Sequence, residues 1–305
     1  MDYEGAVATF FTTPPEGTTF PAVVANGSPA RRLRDALEPL AMHAIWARPV
    51  YDALARYGLD FFSGYVYGRG AALGDVPSAL VTSTFAVFPP AMIDQLWRRA
   101  RAKVGRDKLI ATRDAATAAS LRIVLGDVVS DTEALQAAEA LEVAIDVADG
   151  TGRPLFSALR AGPKLTDPFG RLWRAADLVR EHRGGSHIAA CVAAGLGPCE
   201  MNILTELWLG YPMGEYSNTR GWPRQHVEAS IAKLTVAEFI TDWKITDQGR
   251  RFRTTIEERT DAGQRSLVEA LGDELEPLAK QVALWSDRCI RAGTFPADPR
   301  KRAAG

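Results

Sequence analysis

Apolar residues recur every three or four positions along most of this 305-residue chain, and this spacing limits the fold more than any other feature. In RRLRDALEPLAMHAIWARPVYDALARYGL, Leu33 and Leu37 fall on one helical face. The alanine-rich stretch 107–149 is helical by the same criterion, and Ser130 followed by Glu133 forms a capping box. The short segment SALVTSTFAVF fits either a strand or the start of a buried helix. The pattern predicts a mainly α-helical protein.

The C-terminal half shows a different arrangement, in which helices flank a short hairpin. A helix over 222–235 leads to the segment FITDWKIT, and the helical sequence TDQGRRFRTTIEERTD follows. A helix, a two-stranded wing and another helix in this order are typical of a winged helix. A last helix is expected over 263–292. The sequence thus predicts a helical N-terminal half packed on a C-terminal winged-helix half.

Four segments are expected along the chain. Prolines, glycines and polar turn residues predict an irregular N-terminal arm over 1–30, and a helical domain follows over 31–150. A winged-helix-containing domain is expected over 151–292. The end of the chain, 293–305, is predicted to be a frayed tail.

Two stretches share a weak pattern that would fit an internal duplication. His43 precedes a Gly-Leu pair and a helix that starts at Pro90, and His187 precedes a second Gly-Leu pair and a helix start at Pro223. Similar coincidences arise by chance, so both interpretations stay open. If the repeat is real, the two histidines are pseudo-equivalent and could face one shared cavity.

Composition gives no sign of a strong attraction to polyanions. The formal net charge is −1, which favours neither nucleic acid nor an anionic membrane. The longest apolar runs are too short to span a bilayer, and the sequence MDYEGAVATFF lacks the basic start of a secretion signal. Three cysteines without CxxC spacing fit thiols in a reducing compartment, so a cytoplasmic protein is expected. The oligomeric state stays open.

A dense group of polar side chains lies in the stretch REHRGGSHIAACVAAGLGPCE. Glu181, His182, Arg183 and His187 fall within seven residues, between long apolar helical segments. We expect the GGS sequence to break the helix there, which would let these side chains point into one cavity. A carboxylate beside an imidazole suits proton transfer, which makes Glu181, His182 and His187 the candidate catalytic residues. A purely architectural salt-bridge network is an alternative of equal weight.

The remaining pocket candidates lie mostly in the N-terminal half. Arg69 is the only cation in the aromatic, glycine-rich segment FFSGYVYGRGAALGDV, and we expect it to face the same interior space as His187. Either Arg69 or Arg183 could anchor a carboxylate or a phosphate through paired hydrogen bonds. Together with His43 and Tyr65, these arginines are the predicted ligand-binding residues.

The histidines do not form a recognised metal motif. The spacing between His182 and His187 differs from the HxxxH of one helix face, and His43 would have to complete the ligands. No metal ligand is therefore predicted, and the sequence leaves the cofactor unknown. The sequence also contains no GxSxG, phosphate-loop or dinucleotide motif.

The predicted winged helix introduces DNA binding as a second functional class. Residues 217–265 hold nine Lys or Arg against seven Asp or Glu, a modest surplus for a module that enters a DNA groove. Arg224 and Gln225 lie at the start of the expected recognition helix. Arg250 and Arg251 follow the wing, where they could contact phosphates.

Several motifs together resemble a family of actinobacterial proteins labelled as helix-turn-helix or winged-helix proteins. They cover most of the chain from His43 to Asp261 and read HAIWARPVYDALARYGL, GYVYGRGAALG, FPPAMIDQLW, LVREHRGGSHIAACVAAGL, RGWP and ITDQGRRFRTTIEERTD. The EHRGxxH and RGW motifs are fairly specific to that group. This chain has Gly185 where the family usually has an acidic residue, and Ala72 where a proline is usual. The resemblance implies the fold and a shared cavity motif, but no activity.

Two main functional hypotheses follow. The first is a small-molecule-binding protein with an interior His, Glu and Arg site between two helical halves, which could be an enzyme of specialised metabolism. The alternative is a ligand-responsive winged-helix transcriptional regulator, with DNA as a second partner. The charge balance favours the first, and the resemblance favours the second. A structural or protein-interaction module is a third, plainer class.

Overall fold

Prolines mark the start of many helices in the computed structural model, which describes residues 1–304. A proline at the first helical position loses no hydrogen bond, because that N–H has no partner within the helix. Across the first half the helices are α1 (Tyr3–Phe10), α2 (Ala22–Ala25), α3 (Pro29–Ala41), α4 (His43–Trp46), α5 (Arg48–Ala55), α6 (Phe61–Gly70), α7 (Ser78–Phe85), α8 (Pro90–Arg101), α9 (Arg106–Leu125) and α10 (Asp131–Val147).

The second half contains the 26-residue helix α12 and a small antiparallel hairpin. A 3₁₀ turn, Ser217–Arg220, precedes α14. The elements are α11 (Pro154–Arg160), α12 (Pro168–Ala193), α13 (Pro198–Trp208), α14 (Arg224–Val236), β1 (Ile240–Thr241), β2 (Lys244–Ile245), α15 (Asp247–Ala262), α16 (Arg265–Leu271), α17 (Leu275–Arg291) and α18 (Pro299–Ala303). The predicted mainly α fold, with a hairpin between helices in the C-terminal half, is confirmed.

One large apolar core joins the two halves. Leu37 and Leu40 of α3, Trp173 of α12 and Val282 of α17 are almost fully buried in it. The indole N–H of Trp173 donates to the Ala41 carbonyl at 3.1 Å, so this large side chain buries no unpaired donor. Burying each leucine contributes about 1.5–3 kcal/mol, and these contacts place α3 against α12 at the centre of the protein.

The last long helix of each half packs against the other half. Helix α10 packs along α12, whereas α17 packs along α3. The winged-helix part keeps a smaller core of its own, in which Ile203, Leu234, Ile240 and Ile256 are buried. The domain boundary near residue 150 stays a prediction, because the exchanged helices bury the apolar faces of both segments together.

The helix break expected at GGS does not occur. Helix α12 is continuous through Gly184 and Gly185, although each glycine costs about 0.5–1 kcal/mol relative to alanine. Arg153 fills the space beside Gly185, and Ser186 Oγ donates to the His182 carbonyl at 3.1 Å. Packing on both sides therefore overrides the weak helix propensity of this sequence.

The N-terminal arm over 1–30 is less irregular than expected, because it contains α1 and α2. Phe10 is buried at the end of α1, and its ring lies 5.3 Å from Trp46 and 6.0 Å from Phe61. Burial of these aromatic rings holds α1 against the helical core. The short segment 78–85, which fitted either a strand or a helix, is the helix α7.

The C-terminal end also differs from the prediction. Gly272, with φ of +49°, divides the helix expected over 263–292 into α16 and α17. The tail expected to fray over 293–305 instead contains α18. There the fully buried Asp298 carboxylate accepts a hydrogen bond from Arg300 Nε at 3.0 Å. The capping box at Ser130 is confirmed.

Among residues 1–304, no single helix has both the length and the apolar composition of a membrane span. Helices α12 and α13 would have them together, but the two meet at a bend of 107°.

Alanine at positions 184 and 185 tests how α12 passes through the two glycines. The Cβ of Gly184→Ala would have Glu181 Oε2 as its nearest neighbour, at 3.9 Å, whereas the Cβ of Gly185→Ala would lie 2.7 Å from Arg153 Cγ. Gly184→Ala should raise the free energy of unfolding by about 0.5–1 kcal/mol, and Gly185→Ala should lower it. Urea unfolding followed by circular dichroism measures both. Equal stabilisation at the two positions would contradict the packing at Arg153.

Candidate functional site

The continuous helix α12 sends its polar side chains to different faces. Successive residues of an α-helix are about 100° apart, so neighbours in sequence cannot all reach one cavity. Glu181 and His187 line a cavity, whereas His182 and Arg183 bond to other elements. The structure therefore gathers only part of the predicted site.

The cavity, of about 190 Å³, lies between α6, α12, the Ser217–Arg220 turn and the C-terminal segment. Four predicted residues, Tyr65, Arg69, Glu181 and His187, line it. Eight of the other twenty lining residues are aromatic, namely Phe10, Trp46, Phe61, Phe62, Phe85, Phe88, Tyr216 and Phe295. A wall of this kind suits an apolar or aromatic molecule.

Arg69 and Glu181 form a bidentate ion pair at the cavity wall. Arg69 Nε lies 2.6 Å from Glu181 Oε1, and Nη2 lies 2.7 Å from Oε2. Arg180 pairs with the same carboxylate. Burial by itself would raise the pKa of Glu181, but the two guanidinium groups outweigh burial and lower this pKa to about 2. Glu181 thus carries a fixed negative charge at neutral pH.

Arg69 also has contacts that fix its position on the cavity side. Its Nη1 donates to the Tyr65 hydroxyl at 3.3 Å, and its guanidinium lies 4.4 Å from the centre of the Phe85 ring. Arg69 and His187 line the same interior space, as the sequence pattern indicated.

His187 is held in a neutral form beside a thiol. Its Nδ1 lies 3.2 Å from Thr260 Oγ1, which itself donates to the Ile256 carbonyl at 2.8 Å. The hydroxyl must therefore accept from His187, which puts the ring proton on Nδ1 and leaves Nε2 unprotonated, 3.6 Å from Cys191 Sγ. Burial, with a smaller effect of Arg253, lowers the pKa of His187 to about 3.

His182 lies away from this cavity and joins other segments. Its Nδ1 is 2.9 Å from Gln264 Oε1, and its Nε2 is 3.2 Å from the Asp149 carbonyl. Phe156 packs edge-on against the ring. Burial lowers the pKa of this histidine. Through these two contacts, His182 connects α12 to the segments after α10 and α15.

Arg183 belongs to a buried charge cluster on the other side of α12. Its Nη1 donates to Asp261 at 2.7 Å, and its Nη2 pairs with Glu257. Arg253 lies 2.9 Å and Arg31 lies 3.6 Å from the same Glu257 carboxylate. Burial alone would raise the pKa of Glu257, yet the surrounding arginines lower it. The cluster ties α3, α12 and α15 together.

His43 is fully buried within the N-terminal half. Its Nε2 lies 2.9 Å from Ser120 Oγ, and burial lowers its pKa to about 3. The cavity lining does not include it, so the structure does not bring His43 and His187 to a shared cavity. In residues 1–304, no group of three or more His, Cys, Asp or Glu is placed to hold a metal ion.

Two cations that line the cavity, Arg220 and Lys301, were not predicted from the sequence. Neither Arg220 nor Lys301 forms an ion pair within residues 1–304, and the buried Nε of Arg220 has no hydrogen-bond partner. Burial and the charge of Arg220 lower the pKa of Lys301 to about 8. Arg220 belongs to the RGW motif, and the specificity of this motif to the family is the signal that could have found it. Lys301 lies in the segment that was expected to fray.

The turn that carries Arg220 is held by a buried carboxylate. Glu206 accepts hydrogen bonds from the backbone N–H groups of Gly214, Tyr216 and Ser217 at 2.8–3.0 Å. The Trp222 indole then donates to the Val87 carbonyl of the first half at 2.9 Å. The short segment 214–222 thus connects the cavity wall to the winged helix.

A family model described as helix-turn-helix matches residues 30–296. The chain belongs to the helix-turn-helix family. Comparisons with curated proteins and with solved structures find no match. The match runs from α3 to α17, so it covers most of both halves of the chain.

In this helix-turn-helix protein, the predicted DNA-contacting residues lie on open surface. Arg224 is highly exposed and pairs with Glu228 at 2.6 Å, four residues along α14. Gln225 is exposed on the same helix, and Arg250 and Arg251 are exposed on α15. All four side chains are free to meet a partner, although the Arg224 charge is balanced locally.

Glu181→Gln tests the ion pair at the cavity. Removal of the carboxylate charge leaves Arg69 and Arg180 poorly compensated in a buried site, so the free energy of unfolding should fall by about 3–5 kcal/mol at neutral pH. The folded pKa of about 2 lies below the ordinary value of 4.5. The stabilisation is therefore complete above pH 4.5 and is lost as the pH falls toward 2.

Urea unfolding between pH 2 and 7 measures both effects, and the acid-side loss of stability should be smaller in the variant. Glu228→Gln, at the exposed pair with Arg224, is the control and should leave stability nearly unchanged, because solvent screens this pair. Equal effects of the two substitutions would rule out a special role for the Arg69–Glu181 pair.

Proposed function

We propose that this protein is a DNA-binding regulator in which a small molecule, bound in the aromatic cavity, changes the position of the winged helix. The supporting observation is the composition of the cavity wall. Tyr216, Thr219 and Arg220, from the segment that leads into α14, share this wall with α6 and α12. A molecule in the cavity would therefore touch the segment that orients α14. The cytoplasmic location expected from the sequence fits this role.

A ligand can shift DNA affinity only if it binds two arrangements of the protein unequally. The segment between the 3₁₀ turn and α14 is joined to the first half by the hydrogen bond from the Trp222 indole to the Val87 carbonyl at 2.9 Å. Asn202 of α13 donates to the same carbonyl at 3.0 Å. Small movements of this segment would change both the cavity wall and the start of α14. Ligand contacts with Arg220 would favour one arrangement.

The cavity is suited to an aromatic or apolar molecule that carries an anionic group. Glu181 balances the charges of Arg69 and Arg180. Arg220 and Lys301 have no such partner and lie beside aromatic rings, which leaves positive charge for a carboxylate, sulfonate or phosphate. Tyr65 and His187 would supply further polar contacts.

Acid–base catalysis at the predicted residues is less favoured by this geometry. Glu181 is ionised and fully engaged with arginines, and His182 lies outside the cavity. His187 Nε2 faces Cys191, and burial raises the pKa of this thiol to about 11. We therefore assign His187 to ligand contact, and His43 and Arg183 to the architecture of the two halves.

The regulator hypothesis predicts duplex DNA binding that weakens steeply as salt increases, because bound Lys and Arg release counterions from phosphates. Selection from a random 30-base-pair library, followed by fluorescence anisotropy at about 50–200 mM salt, provides the measurement. A compound that binds the cavity should change the affinity by about fivefold or more. The regulator hypothesis fails if no duplex is enriched at low salt, with or without cavity ligands.

The ligand chemistry can be tested with two related dyes. The anionic 8-anilinonaphthalene-1-sulfonate should bind the cavity, and Arg220→Met with Lys301→Met should weaken it by about tenfold or more. The neutral N-phenyl-1-naphthylamine should keep its affinity within about twofold, because the apolar wall is unchanged. Fluorescence titration reports both affinities.

Affinity for the anionic dye should fall as the pH rises through about 8, where Lys301 loses its proton, and Lys301→Met should remove this dependence. Arg224→Met with Lys233→Met, on exposed surface, is the matched control. If both dyes lose affinity equally, the two cations do not form an anion site.

A further inference from the structure

The segment around the end of α8 carries a strong positive charge that no interaction described so far uses. We define the basic face as the six exposed Lys and Arg side chains within residues 98–108, which are Arg98, Arg99, Arg101, Lys103, Arg106 and Lys108. One acidic residue, Asp107, lies among them. The face covers the last turn of α8, the following loop and the first turn of α9.

About half of these charges are free of carboxylates. Arg98 pairs with Asp94, Arg101 with Asp75 and Arg106 with Asp107, all on open surface. In residues 1–304, the other three make no ion pair. They are Arg99, Lys103, which donates to the Gly58 carbonyl, and Lys108, which lies over the Tyr57 ring. Exposed ion pairs are weak, so the paired arginines also remain able to exchange partners.

The predicted recognition helix has no comparable charge. Residues 224–244, which include α14 and most of the hairpin, contain three Lys or Arg and three Asp or Glu. Residues 90–110 have the same length and contain six Lys or Arg and two Asp. Because phosphate contacts supply most non-specific affinity for DNA, the first-half segment is the better electrostatic match.

Helix α8 occupies the same place in the first half that α14 occupies in the second. Helices α3 to α5 together match the long α12, and α6, α7, α8 and α9 then follow in the order of α13, the 3₁₀ turn, α14 and α15. Helix α8 packs on α6 as α14 packs on α13, and α9 packs on α5 as α15 packs on α12. Each of α8 and α14 follows directly on a proline, Pro89 or Pro223.

The two histidines strengthen this correspondence. His43 bonds to Ser120 of α9 at 2.9 Å, and His187 bonds to Thr260 of α15 at 3.2 Å. A buried arginine lies two helical turns before each of these hydroxyl residues. The exchanged helices show the same correspondence, because α10 packs on α12 and α17 packs on α3. In a winged helix, the helix at the position of α14 enters the DNA groove. Helix α8 is at the corresponding position in the first half.

From the charge and the position together, we propose that the basic face is a docking surface for the phosphate backbone of duplex DNA. The inference rests on the proposed function and adds that the first half, not α14 alone, contacts DNA. The face supplies electrostatic affinity, and the nearly neutral α14 contributes little of it.

Three variants with the same change of charge separate the two surfaces. The basic-face variant is Arg98→Gln, Arg99→Gln and Lys108→Gln, the wing variant is Arg224→Gln, Arg250→Gln and Arg251→Gln, and the control is Arg265→Gln, Lys280→Gln and Arg291→Gln. The substituted side chains are exposed, and Gln keeps helix propensity, so the fold should be retained. Circular dichroism and urea unfolding check this for each variant.

Fluorescence anisotropy with a 30-base-pair duplex measures affinity between about 50 and 200 mM salt. The basic-face variant should bind at least about tenfold more weakly, and its slope of log affinity against log salt should be smaller by about 2–3. The wing variant should lose about threefold or less, and the control should stay within about twofold. Arg99→Glu alone should also weaken binding, which guards against an indirect effect of the triple change.

The possible failures are distinguishable. If the wild-type protein binds no duplex, the proposed function fails together with this inference. If it binds, and the wing variant loses affinity while the basic-face variant does not, the regulator hypothesis stands and the basic face is not the docking surface. Binding of the wild type to phosphatidylglycerol vesicles, but not to DNA, would also overturn the inference.

Discussion

Contact between α3 and α12 supports most of the structure. These helices lie side by side at the centre, and each is covered on its outer side by a helix from the opposite half, α17 or α10. The buried cluster around Glu257 adds arginines from α3, α12 and α15 to the same junction. Loss of one charge there would leave others buried without a partner, so this junction tolerates little change. The cavity depends on it because α12 forms one wall.

Helical periodicity predicted the architecture well, and its failures have physical causes. The two glycines of the GGS sequence suggested a break, but Arg153 packs against Gly185 and keeps α12 continuous. The arm and the tail looked irregular because their helices are short. Tertiary contacts at Phe10 and Asp298, which local sequence does not reveal, hold them in place. Long periodic segments carry their own signal, whereas short ones depend on partners.

The candidate site was predicted in part for a related reason. Arg69 and Glu181 lie 112 positions apart, and a lone cation in an aromatic segment and a carboxylate in a polar cluster each indicated an interior role. The predicted helix break placed His182 and Arg183 in the cavity. Because α12 is continuous, these two side chains instead point to other faces of the helix. Lys301 reaches the cavity because α18 folds back against α2 and α3 of the first half. Such a contact leaves no periodic pattern in the sequence.

The exchange of α10 and α17 has a consequence for synthesis on the ribosome. Helix α3 is synthesised well before α17, which covers its apolar face, because contacting residues such as Ala36 and Ser286 are 250 positions apart. The core of the first half therefore stays incomplete until α17 has left the exit tunnel. Contacts of such long sequence separation slow folding and leave apolar surface exposed in the nascent chain.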